Sequence, residues 1–90
     1  ARPVIEAFSL SKPVIASDFQ STREIIKQDH TGLLFQPNNY QALSNNIIRL
    51  IENPVFAKNL GKNGYKEAVI KYNAIKNSKK IFQYYDDLYV

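Results

Sequence analysis

The apolar positions of this chain alternate between helical spacing and short unbroken runs. Val4, Ile5, Ala7, Phe8 and Leu10 give a first helix its apolar surface around a single carboxylate, Glu6, and Pro3 fits the first turn, where its missing N–H is no loss. Pro13 stops that helix. Val14, Ile15 and Ala16 form a run without polar alternation, the pattern of a strand covered on both faces, and Ser17 and Asp18 end it with turn chemistry. Ser21 or Thr22 is placed to cap a brief helix over residues 23–28, with Ile25 and Ile26 inward. Asp29, His30, Thr31 and Gly32 read as a turn, and Leu33, Leu34 and Phe35 are a second apolar run ended by Gln36 and Pro37. Two such runs joined through a helix predict a right-handed βαβ unit.

Asn38 and Asn39 then cap an amphipathic helix in which Tyr40, Leu43, Ile47, Leu50 and Ile51 recur at helical spacing, while Asn45, Asn46, Arg49 and Glu52 face water. Asn53 and Pro54 open the next helix, whose narrow face is Ala57, Leu60, Gly61, Gly64 and Ala68. Each glycine costs about 1 kcal/mol relative to alanine in a helix, so a close-packed neighbour or a break near Lys62 and Asn63 has to account for them. Asn73 is placed to cap a last helix over residues 74–89, with an aromatic stripe of Phe82, Tyr85 and Tyr89. The expected fold class is α/β, with two parallel strands and about five helices. Two strands leave two open sheet edges, so the sheet is expected to continue elsewhere. With Ala1 standing directly before the first helix, the chain reads as the C-terminal piece of a longer protein.

Composition narrows the chemistry. Ninety residues with 44% hydrophobic and 22% charged side chains suit one small globular domain, and no apolar run reaches the roughly 20 residues of a membrane span. There is no cysteine and one histidine, so neither a disulfide framework nor a thiolate or histidine metal cluster can be built. The net charge of +4 is uneven: residues 1–53 carry five basic and five acidic side chains, and residues 54–90 carry seven lysines against Glu67, Asp86 and Asp87. A basic tail of this kind can meet nucleic acid or anionic lipid, or be a solvated helix face.

The order RPVIEAFSLSKPVIASD, TREII, TGLLFQP, NYQAL with a following helix, and NLGKNG resembles the C-terminal end of retaining glycosyltransferases of the GT-B fold, family 4. That resemblance implies a C-terminal fragment of a Rossmann-like domain. Residues 1–90 would form one partial domain, the nucleotide-sugar-binding one, and residues 74–90 a C-terminal helix reaching toward an N-terminal domain outside this chain. It implies transfer of a sugar from a nucleoside-diphosphate sugar to a glycan, lipid or polysaccharide-precursor acceptor with retention of configuration. It further implies no metal or other cofactor and a cytoplasmic setting, with peripheral membrane contact allowed and no nucleic acid partner. Glu6 falls at the second of two glutamates separated by seven residues, which bonds the donor ribose hydroxyls. Arg2, Val4 and Ile5 fall beside the donor phosphates, acting through the main chain. No catalytic residue falls within the chain, and the piece alone is expected to be inactive.

The chemistry suits those roles, since a carboxylate accepts from two neighbouring hydroxyls and a helix start favours a pyrophosphate. Taken alone, an acidic residue near a helix start also needs no ligand. Ser11 stands where the family usually has glycine, and Gln20 and Ser21 replace a glycine pair. His30, Lys12 and Arg23 read as turn and surface residues. The alternative from another class is a small basic helical module that binds nucleic acid or a protein partner through Lys58, Lys62, Lys66, Lys76, Lys79 and Lys80.

Overall fold

Parallel pairing of the two apolar runs organises residues 2–76, the part of the chain that the computed structural model describes. They form α1 (Arg2–Ser9), β1 (Ile15–Ser17), α2 (Gln20–Arg23), β2 (Leu33–Phe35), α3 (Tyr40–Glu52) and α4 (Pro54–Lys76). β1 and β2 pair with Ile15 opposite Leu33, Ala16 opposite Leu34 and Ser17 opposite Phe35. The architecture is α/β as expected, with four helices among the described residues.

α1 ends in a Schellman motif. The Ser11 amide bonds the Phe8 carbonyl at 3.0 Å and the Lys12 amide reaches back to Ala7 at 2.9 Å, with Ser11 at φ 57° in the position that usually takes glycine. Leu10 falls past the helix end and is 68% exposed rather than part of an apolar face. The motif ends α1 and leads the chain into β1. Val4 and Phe8 join Val14 and Ile26 in the core.

The brief crossover helix lies earlier than its expected residues 23–28. It spans Gln20–Arg23 because Thr22, foreseen as a cap, bonds backward instead: its hydroxyl accepts from the Phe19 amide at 3.0 Å and donates to the Ser17 carbonyl. Ile25 and Ile26 still point inward, Ile26 fully. Residues 27–31 close the turn, where the buried Thr31 hydroxyl accepts from the Lys27 amide at 2.9 Å.

One of the two expected open sheet edges is closed by side chains. The outward-facing Leu34 amide donates to the Gln28 side chain at 2.8 Å, and Asn46 donates to the Leu34 carbonyl at 3.4 Å. β1 pairs only with β2 among the described residues, and Ile15, Ala16 and Ser17 are half-buried rather than covered on both faces. Any extension of the sheet therefore lies on the β1 side.

α3 starts where the sequence predicts, with the Asn39 side chain accepting from the Ala42 amide at 3.0 Å. Its inward face is rotated from the most apolar stripe. Ala42, Leu43, Asn46 and Leu50 are half-buried, whereas Tyr40, Ile47, Ile48 and Ile51 are exposed. Asn46 turns inward because a strand carbonyl needs a donor there, and Arg49 lies over the Phe56 ring while bonding Asp29 at 2.9 Å.

α4 runs unbroken through both glycines and through Asn73, which therefore caps no new helix. The close-packed neighbour is α1. A methyl group at Gly61 would overlap the Ser11 carbonyl oxygen, and one at Gly64 would lie 2.6 Å from the Phe8 ring. These approaches, with Ile5 and Ala68 sharing a groove, align α1 antiparallel to α4. The aromatic stripe of Phe82, Tyr85 and Tyr89 lies outside the described residues.

Candidate functional site

β1 and β2 run parallel and so finish at the same end of the sheet. In open parallel α/β sheets that is the edge at which ligands bind, because loops rather than strands leave it. The loop after β1 leaves that edge, and the first turn of α1 and Glu6 are the other two candidate groups.

Arg2, Val4 and Ile5 lie in the first described turn of α1, and Pro3 between them has no N–H to offer. The side chains diverge. Val4 is 7% exposed in the core, Ile5 is half-buried, and Arg2 points to solvent. Only the main chain of these three residues can therefore act as one unit. Glu6 follows on the exposed side of the same helix. None of the ion pairs or side-chain hydrogen bonds among the described residues involves its carboxylate, while its carbonyl accepts from Ser9 Oγ at 2.7 Å and from the Leu10 amide at 3.2 Å. Folding thus leaves an uncompensated acceptor pair on a rigid helix anchored by Val4 and Phe8.

The loop after β1 is held more tightly than the sequence suggests. Asp18 donates its amide to the Phe35 carbonyl at 2.8 Å, accepts from Arg23 Nε at 2.8 Å and accepts from Gln36 at 3.3 Å. It ties the ends of both strands to α2. Arg23, which reads from the sequence as a surface charge, is one of its partners. The legible signal was a Ser-Asp pair directly after an apolar run; the partner Gln36 became visible only once the strands were paired. His30 keeps its turn role, its carbonyl accepting from Asn63 at 2.9 Å, and Lys12 is an exposed surface residue.

A groove of about 90 Å³ lies beside this region, floored by Ile5, Phe8, Ile25 and Ala68 and crossed by the Lys27–Glu67 ion pair at 2.9 Å. Glu6 does not line it, and it is smaller than the roughly 300 Å³ or more of a cofactor-sized pocket. No group of three or more metal-ligating side chains occurs among the described residues.

A parallel α/β fragment of this kind belongs among the GT-B glycosyltransferase folds, and a solved structure supports this. Over 78% of this chain and 18% of the other, it superimposes on sucrose-phosphate synthase from Thermosynechococcus elongatus with a TM-score of 0.75 and 36% identity. The profile of glycosyl transferases group 1 matches residues 1–67, and the chain belongs to that family. It is 36% identical over 84 residues to an uncharacterized glycosyltransferase, MJ1178, of Methanocaldococcus jannaschii, covering 93% of this chain and 24% of that protein. It is 32% identical over 66 residues to the putative glycosyltransferase EpsD of Bacillus subtilis, covering 73% of this chain and 17% of that one. The chain therefore spans about a quarter or less of the length of these relatives.

Proposed function

We propose that this chain is the C-terminal, donor-binding part of a retaining, family 4 glycosyltransferase that moves a sugar from a nucleoside diphosphate to a glycan, lipid or polysaccharide-precursor acceptor. The observation that supports the reading is the Glu6 carboxylate, exposed and unpaired among the described residues, on a helix packed beside a parallel two-stranded sheet. A carboxylate in that state accepts from the two ribose hydroxyls of the donor without first giving up an internal partner. The main-chain N–H groups of Arg2, Val4 and Ile5 suit the diphosphate. Stabilising the departing diphosphate takes basic groups that this reading assigns to the rest of the intact protein, so the piece alone binds without catalysing transfer.

The test is Glu6→Gln in the intact protein, which keeps size and packing but weakens charge-assisted acceptance by roughly 1.5 to 3 kcal/mol. Calorimetric titration with nucleoside diphosphate should show about a ten- to hundredfold weaker affinity for the variant, with the melting temperature nearly unchanged. Equal affinities for wild type and variant, or a fall in binding that only tracks a fall in stability, refute the role of Glu6.

A further inference from the structure

The two segments that leave the finishing ends of β1 and β2 each carry an aromatic side chain that the fold does not use. Phe19, two residues past β1, is 53% exposed, and Tyr40, where the chain enters α3 after β2, is 70% exposed. The strands are neighbours and parallel, so both aromatics belong to the same edge of the sheet. Asp18 ties the two segments together through the Phe35 carbonyl and Gln36. The main chain beneath each ring is fixed. The Phe19 amide bonds Thr22 Oγ at 3.0 Å and its carbonyl accepts from the Arg23 amide at 2.9 Å, while the Tyr40 amide bonds the Asn38 carbonyl at 3.1 Å. Gln20, Ser21 and Asn38 stand exposed beside the rings; the Gln20 amide group makes one bond, to Glu24 at 3.4 Å, and the side chains of Ser21 and Asn38 make none among the described residues.

We propose that Phe19 and Tyr40 are platforms for pyranose rings of the acceptor, which makes that acceptor a glycan. The inference rests on the transfer reading above and narrows its acceptor. A pyranose presents a face of axial C–H groups inside a rim of hydroxyls, so it gains from an aromatic ring on that face and from side-chain amides and hydroxyls at its rim. Exposed rings with free amide and hydroxyl groups beside them supply both. Because their backbones are already held, little ordering has to be offset on binding. A lipid chain requires a continuous apolar trough, which Gln20, Ser21 and Asn38 interrupt with polar groups that it would leave unpaired. A lipid phosphate requires a free cation, and Arg23, the basic residue of this loop, is held by Asp18.

The test is saturation-transfer NMR on the intact protein with methyl β-D-glucopyranoside, methyl β-D-galactopyranoside and methyl α-D-mannopyranoside, which reads sugar contact without nucleotide or turnover. At least one of them should receive saturation, most strongly at the axial H3 and H5 protons. Each ring contributes about two- to tenfold to affinity, so Phe19→Ala with Tyr40→Ala should weaken that sugar by roughly four- to a hundredfold. Phe19→Tyr with Tyr40→Phe keeps both rings and should keep the signal. Absence of transfer to all three glycosides overturns the proposal, as does a signal that the alanine pair leaves unchanged or that the ring-keeping pair loses equally. A loss in the alanine pair that only tracks a lower unfolding temperature overturns it in favour of packing against the rest of the protein. Weaker nucleoside diphosphate binding by the alanine pair, with the sugar signal intact, overturns it in favour of the donor base. The donor role of Glu6 stands or falls separately, on the nucleotide titration of Glu6→Gln.

Discussion

Replacing Gly61 by alanine sets two effects of opposite sign against each other, and the structure decides which wins. Inside a helix the change gains up to about 1 kcal/mol from propensity. Here the new methyl group would overlap the carbonyl oxygen of Ser11 and lie 2.8 Å from its carbonyl carbon. Those are backbone atoms in the turn that ends α1, fixed by the bonds from Ser11 to Phe8 and from Lys12 to Ala7, so no side-chain rotation relieves the clash. The helices must separate, and overpacking of this kind typically costs about 1 to 3 kcal/mol or more. The net expectation is a loss of about 1 to 2 kcal/mol, or a fall in Tm of about 5 to 15 °C for a domain of this size. Thermal unfolding followed by far-UV circular dichroism reads it. Asn59→Ala, at an exposed position of the same helix, should instead leave stability unchanged or raise it by a few tenths of a kcal/mol. Because α1 also carries Glu6, the Gly61 variant should bind nucleoside diphosphate more weakly as well. A Tm equal to or above that of the parent would refute the reasoning, since propensity would then outweigh contact.

Other substitutions probe separate parts of the argument. Ser11→Gly relieves a left-handed residue and should raise stability by about 0.5 to 1 kcal/mol after the glycine's greater unfolded-state entropy is counted, seen as a Tm higher by a few degrees. Thr31→Val keeps the shape of a fully buried side chain but leaves the Lys27 amide without its acceptor, a cost of about 1 to 3 kcal/mol by urea unfolding, most of which Thr31→Ser should recover. Leu33→Ala, at a position with no exposure, should cost about 2 to 5 kcal/mol. Ile51→Ala, on the exposed stripe of α3, should stay within about 0.5 kcal/mol, and a large loss there would mean that α3 packs by its most apolar face after all.

Local patterns in the sequence were enough to find both strands, their parallel pairing, the Asn39 cap of α3 and the small-residue face of α4. Each depends on residues within a few positions of one another: an unbroken apolar run, an asparagine before a helical period, glycines spaced one turn apart. The resemblance to glycosyltransferases rested on the same local strings in order, which is why the family was legible from residues 1–67 alone.

Tertiary structure decided what those patterns meet. That Gly61 and Gly64 mark an approach of α1, and not a helix break, depends on Ser11 and Phe8, some fifty residues away. The inward face of α3 follows the unpaired Leu34 carbonyl and the Phe56 ring rather than the stripe of greatest hydrophobicity, because a buried polar group without a partner costs more than an isoleucine left in water. Asp18 became the knot of the ligand edge only when β1 and β2 brought Gln36 beside it. Glu6 shows the division most clearly: the sequence names a carboxylate on a helix, while its state, exposed and without an ion-pair partner among the described residues, is set by which basic side chains the fold brings near it and which it sends elsewhere.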